Sequence, residues 1–166
     1  MKTLVITDID GTKPVKKGKR THYKACPSSE AVRSSNTGIN KWFDTSRDIL
    51  FTKIKSKTAE QKLSGCRRIA YQTPESGQTG CGRSFEDAFV FANQTMFNLS
   101  GSTSLEIEEN AMMLAKEEAK DGKANFAIKY SVDKTDWVVP EYISEGLEWL
   151  DSDSATKAAE ELVWQI

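Results

Sequence analysis

The stretch TLVITDIDGT, residues 3–12, constrains the fold of this chain more than any other. Residues 3–7 are short, apolar and β-branched, which is typical of a strand buried in a parallel sheet. Asp8, Asp10 and Gly11 follow almost at once. Because side chains alternate along a strand, both carboxylates should project from one side just past its carboxyl end. Open α/β sheets bind their ligands at that edge.

The remaining segments indicate a second strand and about six helices. RIAYQ, residues 68–72, is the strand candidate, and the glycine-rich loop TPESGQTGCG follows it. Helices are predicted after Ser35 or Asn36, after Ser84, over residues 105–120, from Lys123 to residue 130, and from Pro140. The helical stretch after Asn36 is predicted to run to about residue 62. A last helix, SATKAAEELVWQI, offers Leu162, Val163 and Ile166 as apolar anchors.

The fold class that follows is mixed α/β, with a small parallel sheet and a largely helical remainder. The strands at 3–8 and 67–72 are predicted to be adjacent and parallel, joined by a long crossover. Residues 11–34, which contain the breakers Pro14, Gly18 and Pro27, are predicted to be a basic, polar loop. The whole chain, residues 1–166, is long enough for one domain, although two strands are few for a self-sufficient α/β unit.

Composition excludes several classes of protein. A net charge of −1 provides no global basic field for nucleic acid, although lysines cluster just after the aspartates. The three cysteines have neither even number nor CxxC spacing, which argues against a disulfide framework and a structural zinc site and favours the reducing cytoplasm. No apolar run is long enough to span a membrane.

The aspartate pair fits two kinds of catalytic site and one purely structural alternative. In phosphatases of the haloacid dehalogenase type, Asp8 would be the nucleophile, Asp10 the acid and base, and Thr12 part of the loop. That mechanism needs a further carboxylate pair after a later strand, and RIAYQTPESG carries no aspartate. In a metal-dependent nuclease, Asp8 and Asp10 would bind Mg²⁺, which prefers oxygen ligands. The structural alternative is a solvated Asp-Gly turn with no catalytic role.

Six blocks of sequence, in order between about residues 3 and 150, resemble the OLD family. The blocks are TLVITDIDGT, ACPSSEAVRSSN, RIAYQTPE, CGRSFEDAF, KANFAIKY and VPEYISEGLEWL. Members of this family are ATP-dependent endonucleases with an N-terminal ABC-type ATPase and a C-terminal Toprim nuclease domain. The subgroup that this chain resembles is associated with phage defence, often beside a helicase of the UvrD type.

The resemblance implies roles for individual residues. Asp8 and Asp10 match the Toprim ligands of Mg²⁺ or Mn²⁺, Glu86 matches a further ligand, and Asp87 is a second candidate beside it. Lys123 matches the lysine that stabilises charge on the scissile phosphate. Basic residues near the aspartates and before Glu86 are candidates for contacts with DNA phosphates: Lys13, Lys16, Lys17, Lys19, Arg20 and Arg83.

Two parts of the family pattern have no counterpart in the chain. Toprim domains carry a glutamate at the end of an earlier strand, and the ATPase precedes that strand. The chain is therefore predicted to be the C-terminal portion of a Toprim domain, with ATP acting only through the absent ATPase. DNA, the missing half and a second copy in a homodimer are the expected partners. A non-catalytic docking module is the hypothesis from a different class.

Overall fold

The computed structural model describes residues 1–43 and 50–163 of the chain. Within these residues it contains seven α-helices, a 3₁₀ turn at Glu60–Lys62, a π turn at Lys129–Asp133 and six strands in two sheets. The strands are β1 (Thr3–Ile6), β2 (Gly11–Lys17), β3 (Arg20–Ala25), β4 (Arg33–Ser34), β5 (Leu63–Ser64) and β6 (Arg67–Ala70). The helices are α1 (Thr37–Trp42), α2 (Phe51–Lys55), α3 (Phe85–Ala92), α4 (Gln94–Phe97), α5 (Ser104–Glu118), α6 (Lys123–Ile128) and α7 (Glu141–Val163).

The first sheet has the order β1-β6-β5, and β1 runs parallel to β6. The register pairs Thr3 with Arg67 and Ile6 with Ala70, which confirms the predicted adjacent, parallel strands. The predicted burial of the first strand is wrong, because β1 lies at the edge of the sheet and its Val5 and Ile6 are exposed. Helix α7 covers this pair. A Cβ at Gly146 would lie 3.1 Å from Leu4 and 3.3 Å from Ala70, so the small residue allows α7 to approach closely. Both parallel strands therefore end at one edge, beneath a packed helix.

The second sheet corrects the prediction of a loop at residues 11–34. Its order is β3-β2-β4, with antiparallel pairing throughout. Val15 and Tyr23 are good strand formers, and Gly18, at φ +63°, makes the tight turn that joins β2 to β3. The pairing of β2 with β4 covers Gly11 and Thr12, so Pro14 lies beyond the segment where a third strand would need its missing N–H.

The capped helices agree with their sequence signals. The side chain of Asn36 accepts hydrogen bonds from the N–H groups of Gly38 and Ile39, and that of Ser84 accepts one from Asp87. Helices α3 and α5 pack together, and the largest apolar core lies around Phe89. The structure thus confirms the predicted caps at the starts of α1 and α3.

Two helix predictions need correction. Among the described residues, the helical stretch predicted between α1 and residue 62 contains a five-residue helix, α2, and the 3₁₀ turn. The predicted separate C-terminal helix is continuous with α7, because no breaker follows Gly146. The side chains of Leu162 and Val163, and the whole of Ile166, lie outside the described part of the chain. In that part, no helix has both the length and the apolarity to cross a membrane.

Candidate metal and phosphate site

Asp8 follows β1 and is held by a residue that follows β6. The side-chain amide of Gln72 donates to Asp8 Oδ1 at 2.7 Å, and its carbonyl accepts the backbone N–H of Ile9 at 2.6 Å. Gln72 is fully buried and also lies 3.3 Å from the hydroxyl of Tyr142 on α7. The parallel pairing of β1 and β6 brings these two strand ends together, so one amide fixes both the loop and the carboxylate.

Asp10 has an unusual backbone conformation. Its φ of +48° lies in the left-handed region, which aspartate tolerates better than most residues. The surrounding structure holds it there, since its N–H donates to the carbonyl of Arg83 and its own carbonyl accepts from the N–H of Ser35. Its carboxylate meets the Arg83 guanidinium at 2.7 Å. The turn therefore aims Asp10 at the segment that leads into α3.

Asn36 braces the same turn from the other side. Its side-chain amide donates to the carbonyl of Asp8 at 2.6 Å and to the hydroxyl of Thr7 at 2.7 Å. Its side-chain carbonyl caps α1. One side chain thus joins the start of a helix to the turn at residues 8–10, here called the aspartate turn. This bracing immobilises the backbone that carries both carboxylates.

The first turn of α3 supplies two buried carboxylates. Glu86 and Asp87 are 7% and 6% exposed. The Lys123 ammonium, from the first turn of α6, lies 2.9 Å and 3.2 Å from the two oxygens of Glu86. Asp87 instead accepts the backbone N–H of Arg83 at 3.3 Å and donates its own N–H to the Ser84 cap. Glu86 consequently reaches the site, whereas Asp87 braces the loop before α3.

One cavity of about 470 Å³ collects these groups. Six of its lining residues were predicted from the sequence as site residues: Asp8, Asp10, Arg83, Glu86, Asp87 and Lys123. Helix α5 forms another part of the wall with Met112 and Lys116. The predicted catalytic, metal and Arg83 positions, scattered over 116 residues of sequence from Asp8 to Lys123, therefore share one opening at the carboxyl edge of the parallel pair.

The carboxylates of this cavity differ in how easily they ionise. Burial raises the pKa of Asp8, the hydrogen bond from Gln72 opposes that rise, and repulsion from Asp10 and Glu86 adds to it. Burial also raises the pKa of Asp87. Burial works against the ionisation of Glu86 too, but the hydrogen bond from Lys123 helps to outweigh it, and the pKa of Glu86 is lowered. The cavity therefore brings several carboxylates close together, and Asp8 becomes harder to ionise as a result.

The carboxylates of the cavity also shift the pKa of Lys123. Its hydrogen bond with Glu86 raises its pKa, with further contributions from the charges of Asp8 and Asp10. The side chain is 74% exposed, so the ammonium faces the opening of the cavity. It is therefore fixed as a cation beside the carboxylates, and is suited to contact an anion rather than to abstract a proton.

The donor set fits a hard divalent cation. Carboxylate oxygens are the ligands that Mg²⁺ and Mn²⁺ prefer, and a cation would relieve the repulsion that Asp10 and Glu86 exert on Asp8. Within residues 1–43 and 50–163, no group of three or more His, Cys, Asp or Glu side chains is arranged to hold a metal ion. Each carboxylate already has the hydrogen-bonded partner given above. The predicted coordination by Asp8, Asp10 and Glu86 therefore stays a prediction.

The other predicted phosphate contacts lie away from this cavity. Lys13 pairs with Glu30 and lines a neighbouring cavity of about 460 Å³, which shares Met112 and Lys116 with the first. The remaining four are on β2, β3 and the turn between them: Lys16, Lys17, Lys19 and Arg20. The basic segment thus divides into one lysine near the site and a group on the hairpin.

Three features of the site were not predicted from the sequence: Gln72, the bracing of the aspartate turn by Asn36, and Lys116. The available signal for Gln72 was its position, because it follows the second parallel strand and so ends at the same edge as Asp8. Asn36 was identified only as a helix cap. Lys116 stands in a helix with many charged residues, and nothing in the sequence distinguishes it from its neighbours.

Comparison of the chain with protein-family models, with curated proteins and with solved structures finds no match.

Proposed function

We propose that this chain is the nuclease part of an OLD-type protein and supplies the site at which that protein hydrolyses phosphodiester bonds of DNA with the help of Mg²⁺ or Mn²⁺. The observation that carries the proposal is the cavity at the carboxyl edge of β1 and β6. There, Asp8, Asp10 and Glu86 lie with the cations Arg83 and Lys123 around one opening. A phosphodiester is an anion that needs both neutralisation and positioning before it can be cleaved.

The reaction is a displacement at phosphorus. A water oxygen forms the new bond to phosphorus, the bond from phosphorus to one deoxyribose oxygen breaks, and that oxygen takes up a proton. One product ends in a phosphate monoester and the other in a hydroxyl group. When bound, the metal would supply charge neutralisation on the phosphate and a more acidic water. Asp8, Asp10 and Glu86 would hold it, with Asp87 steadying the loop behind them.

The residues of the chain perform the positioning. The Lys123 ammonium lies at the opening, where it can approach a non-bridging phosphate oxygen and stabilise the negative charge that grows there. The Arg83 guanidinium, which pairs with Asp10 at 2.7 Å, also lines the cavity and provides a second cation for the phosphate. Gln72 and Asn36 keep the aspartate turn rigid during the reaction.

Metal binding tests the proposal without requiring activity. Mn²⁺ should bind to the chain in calorimetric titration with a dissociation constant in the millimolar range or tighter. Asp8→Asn should weaken this binding at least tenfold, since it removes a charged oxygen ligand. Glu117→Gln is the matched control, because it removes one exposed carboxylate of α5, paired with Lys120, and leaves the cavity intact. Absence of Mn²⁺ binding, or equal binding by all three proteins, would overturn the proposed metal site.

Two other hypotheses give distinct results with the same proteins. A phosphatase using Asp8 as nucleophile would hydrolyse p-nitrophenyl phosphate in preference to its bis ester, and would be trapped by beryllofluoride. A docking module would bind no divalent ion at the carboxylates. Either pattern would replace the nuclease proposal, whereas Mn²⁺ binding without hydrolysis of p-nitrophenyl phosphate and without beryllofluoride trapping supports it.

A further inference from the structure

The hairpin formed by β2 and β3, here called the ribbon, projects directly from the candidate site. It starts at Gly11, one residue after Asp10, and turns at residues 18–19 between the paired residues Lys17 and Arg20. All six residues of β3 are exposed. Among the described residues, strand pairing on the other side of β2 is confined to Gly11 and Thr12. Lys13 and Val15 are half-buried at the base of the ribbon, and beyond them it stands as two exposed strands.

The register places four of the five Lys and Arg residues of β2 and β3 on one face. Side chains of directly opposed residues share a face and alternate along the strands. One face carries Lys13, Val15, Lys17, Arg20, His22 and Lys24. The opposite face carries Thr12, Pro14, Lys16, Thr21, Tyr23 and Ala25, and the guanidinium of Arg33 stacks on the ring of Tyr23 there, 3.2 Å from its centre. The first set is the basic face.

On the basic face, positively charged side chains lie directly opposite each other, and most of them have no nearby carboxylate. Lys13 is paired with Lys24, and Lys17 with Arg20, across the two strands. Such pairs destabilise a hairpin. Glu30 forms an ion pair with Lys13. Within the described part of the chain, no carboxylate lies within ion-pair distance of Lys17, Arg20 or Lys24. The described part of the chain does not neutralise these three charges, whereas a bound polyanion would relieve the repulsion between them.

We infer that the basic face of the ribbon binds the major groove of duplex DNA and holds the substrate for the candidate site. The inference rests on the proposed nuclease function for the choice of DNA. The major groove of B-form DNA, about 12 Å wide, admits a two-stranded ribbon, whereas that of an A-form RNA duplex is too narrow for side chains. The ribbon has the required width, since its strands lie about 4.8 Å apart.

The length of the ribbon sets the distance between its contacts with DNA and the candidate site. Seven residues, Gly11–Lys17, span about 23 Å at 3.3 Å per residue. That distance equals about seven base pairs at 3.4 Å each. The ribbon should therefore contact DNA up to about seven base pairs to one side of the bond that lies at the cavity. A phosphate can then occupy the cavity while Lys17 and Arg20 reach the flanking duplex.

Adjacent lysines on opposite faces provide a matched test. Binding of the 166-residue chain to a fluorescent 30-base-pair duplex is measured by anisotropy in EDTA, over a series of salt concentrations. Lys17→Gln should weaken binding roughly fivefold to tenfold at 0.1 M salt and reduce the salt slope by about 0.9, the value of one lost phosphate contact. Lys16→Gln removes the same charge from the opposite face. The inference removes Lys16 from the phosphate contacts predicted from the sequence, so this variant should change neither quantity appreciably.

The double variant Lys17→Gln/Arg20→Gln should lose affinity further, with an unchanged or higher melting temperature, because an opposed like-charge pair is gone. Equal losses in Lys16→Gln and Lys17→Gln would show a diffuse electrostatic effect and overturn the inference. Equal affinity for an RNA duplex, or no binding of duplex DNA, would also overturn it. EDTA excludes metal-dependent cleavage, so DNA binding and metal binding are tested separately. If the duplex binds through the ribbon but Mn²⁺ does not bind to the chain, only the nuclease proposal fails. If Mn²⁺ binds but the ribbon does not bind duplex DNA, only the ribbon inference fails.

Discussion

At the scale of single residues, the energetic conflict of the candidate site lies in Asp8. Burial raises the pKa of its carboxyl group, and the charges of Asp10 and Glu86 add to the effect. The folded protein therefore binds the Asp8 proton more tightly than the unfolded chain does. At pH values above this raised pKa, ionised Asp8 destabilises the fold. Carboxylates that oppose stability in this way are common at functional sites.

Replacing Asp8 with asparagine should therefore stabilise the protein. In EDTA at pH 7.5, Asp8→Asn should melt a few degrees above the unmodified chain, since asparagine keeps an oxygen for the Gln72 amide and carries no charge. The gain should shrink as the pH falls through the raised pKa of Asp8 towards its ordinary value of 3.8. Thermal melts from pH 4 to 8 measure it. Asp136→Asn, on an exposed side chain, is the control, and an equal gain there would refute the assignment to Asp8.

The residues that could be predicted from the sequence are those whose type restricts their chemistry. Asp8 and Asp10 follow an apolar parallel strand, and this position at the carboxyl edge of a sheet was enough to predict a ligand site there, although β1 itself is largely exposed. Gln72 was missed because an amide after a strand has many ordinary roles. Its function here depends on the parallel register of β1 with β6, which brings it within 2.7 Å of Asp8.

At the scale of elements, α5 holds together the loops that surround the site. Glu108, 1% exposed, accepts hydrogen bonds from the N–H of Ser29 at 2.7 Å and of Cys81 at 3.1 Å. The Ser29 hydroxyl is a third donor, at 2.6 Å. A Cβ at Gly80 would lie 3.1 Å from the Glu108 side chain, so the glycine allows the loop to approach it. One carboxylate thus joins the segment after β3 to the loop before α3.

Loss of this carboxylate should destabilise the fold. Glu108→Ala leaves three hydrogen-bond donors without their acceptor, and should lower the free energy of unfolding by about 3 kcal/mol. Glu109→Ala removes the next side chain of the same helix, which is exposed, and should change the free energy by less than about 0.5 kcal/mol. Urea denaturation of both variants measures the difference. Similar values for the two would show that Glu108 does not join the loops.

The elements that the sequence predicts well are those with local signals. The caps Asn36 and Ser84 and the apolar spacing of α3 act within a few residues, and both helices begin where these signals indicate. The ribbon was missed because neither of its faces supports the apolar alternation that marks a half-buried strand. Gly18 was interpreted as a breaker, although a glycine between lysine-rich strands can equally form a hairpin turn.

At the scale of the whole molecule, the aspartate turn is the junction of two sheets. The first sheet ends at it, the ribbon begins from it, and Ile9 in its centre is completely buried in the core that also contains Ile69 and Tyr71. Movement of the turn would therefore disturb both sheets. This rigidity suits a site that must hold charged ligands in fixed positions.

The chain alone should show little or no nuclease activity. A two-metal displacement needs both ions held rigidly, and in the described residues no group of three metal-binding side chains is arranged to do so. The proposed function requires one further ligand, a glutamate from an earlier Toprim strand. A longer protein in which an OLD-type ATPase and that strand precede this chain should therefore show cleavage that depends on Mg²⁺ or Mn²⁺.

Plasmid nicking by the two proteins, over a titration of each metal, measures this prediction. Asp8→Ala in the longer protein should abolish nicking, since it removes a metal ligand without touching the added segments. The matched control is Glu117→Ala, an exposed substitution on α5 that should leave nicking unchanged. Robust cleavage by residues 1–166, lost in Asp8→Ala, would show that the cavity is complete without the further glutamate. Undiminished cleavage by the longer Asp8→Ala protein would remove the aspartate turn from the mechanism altogether.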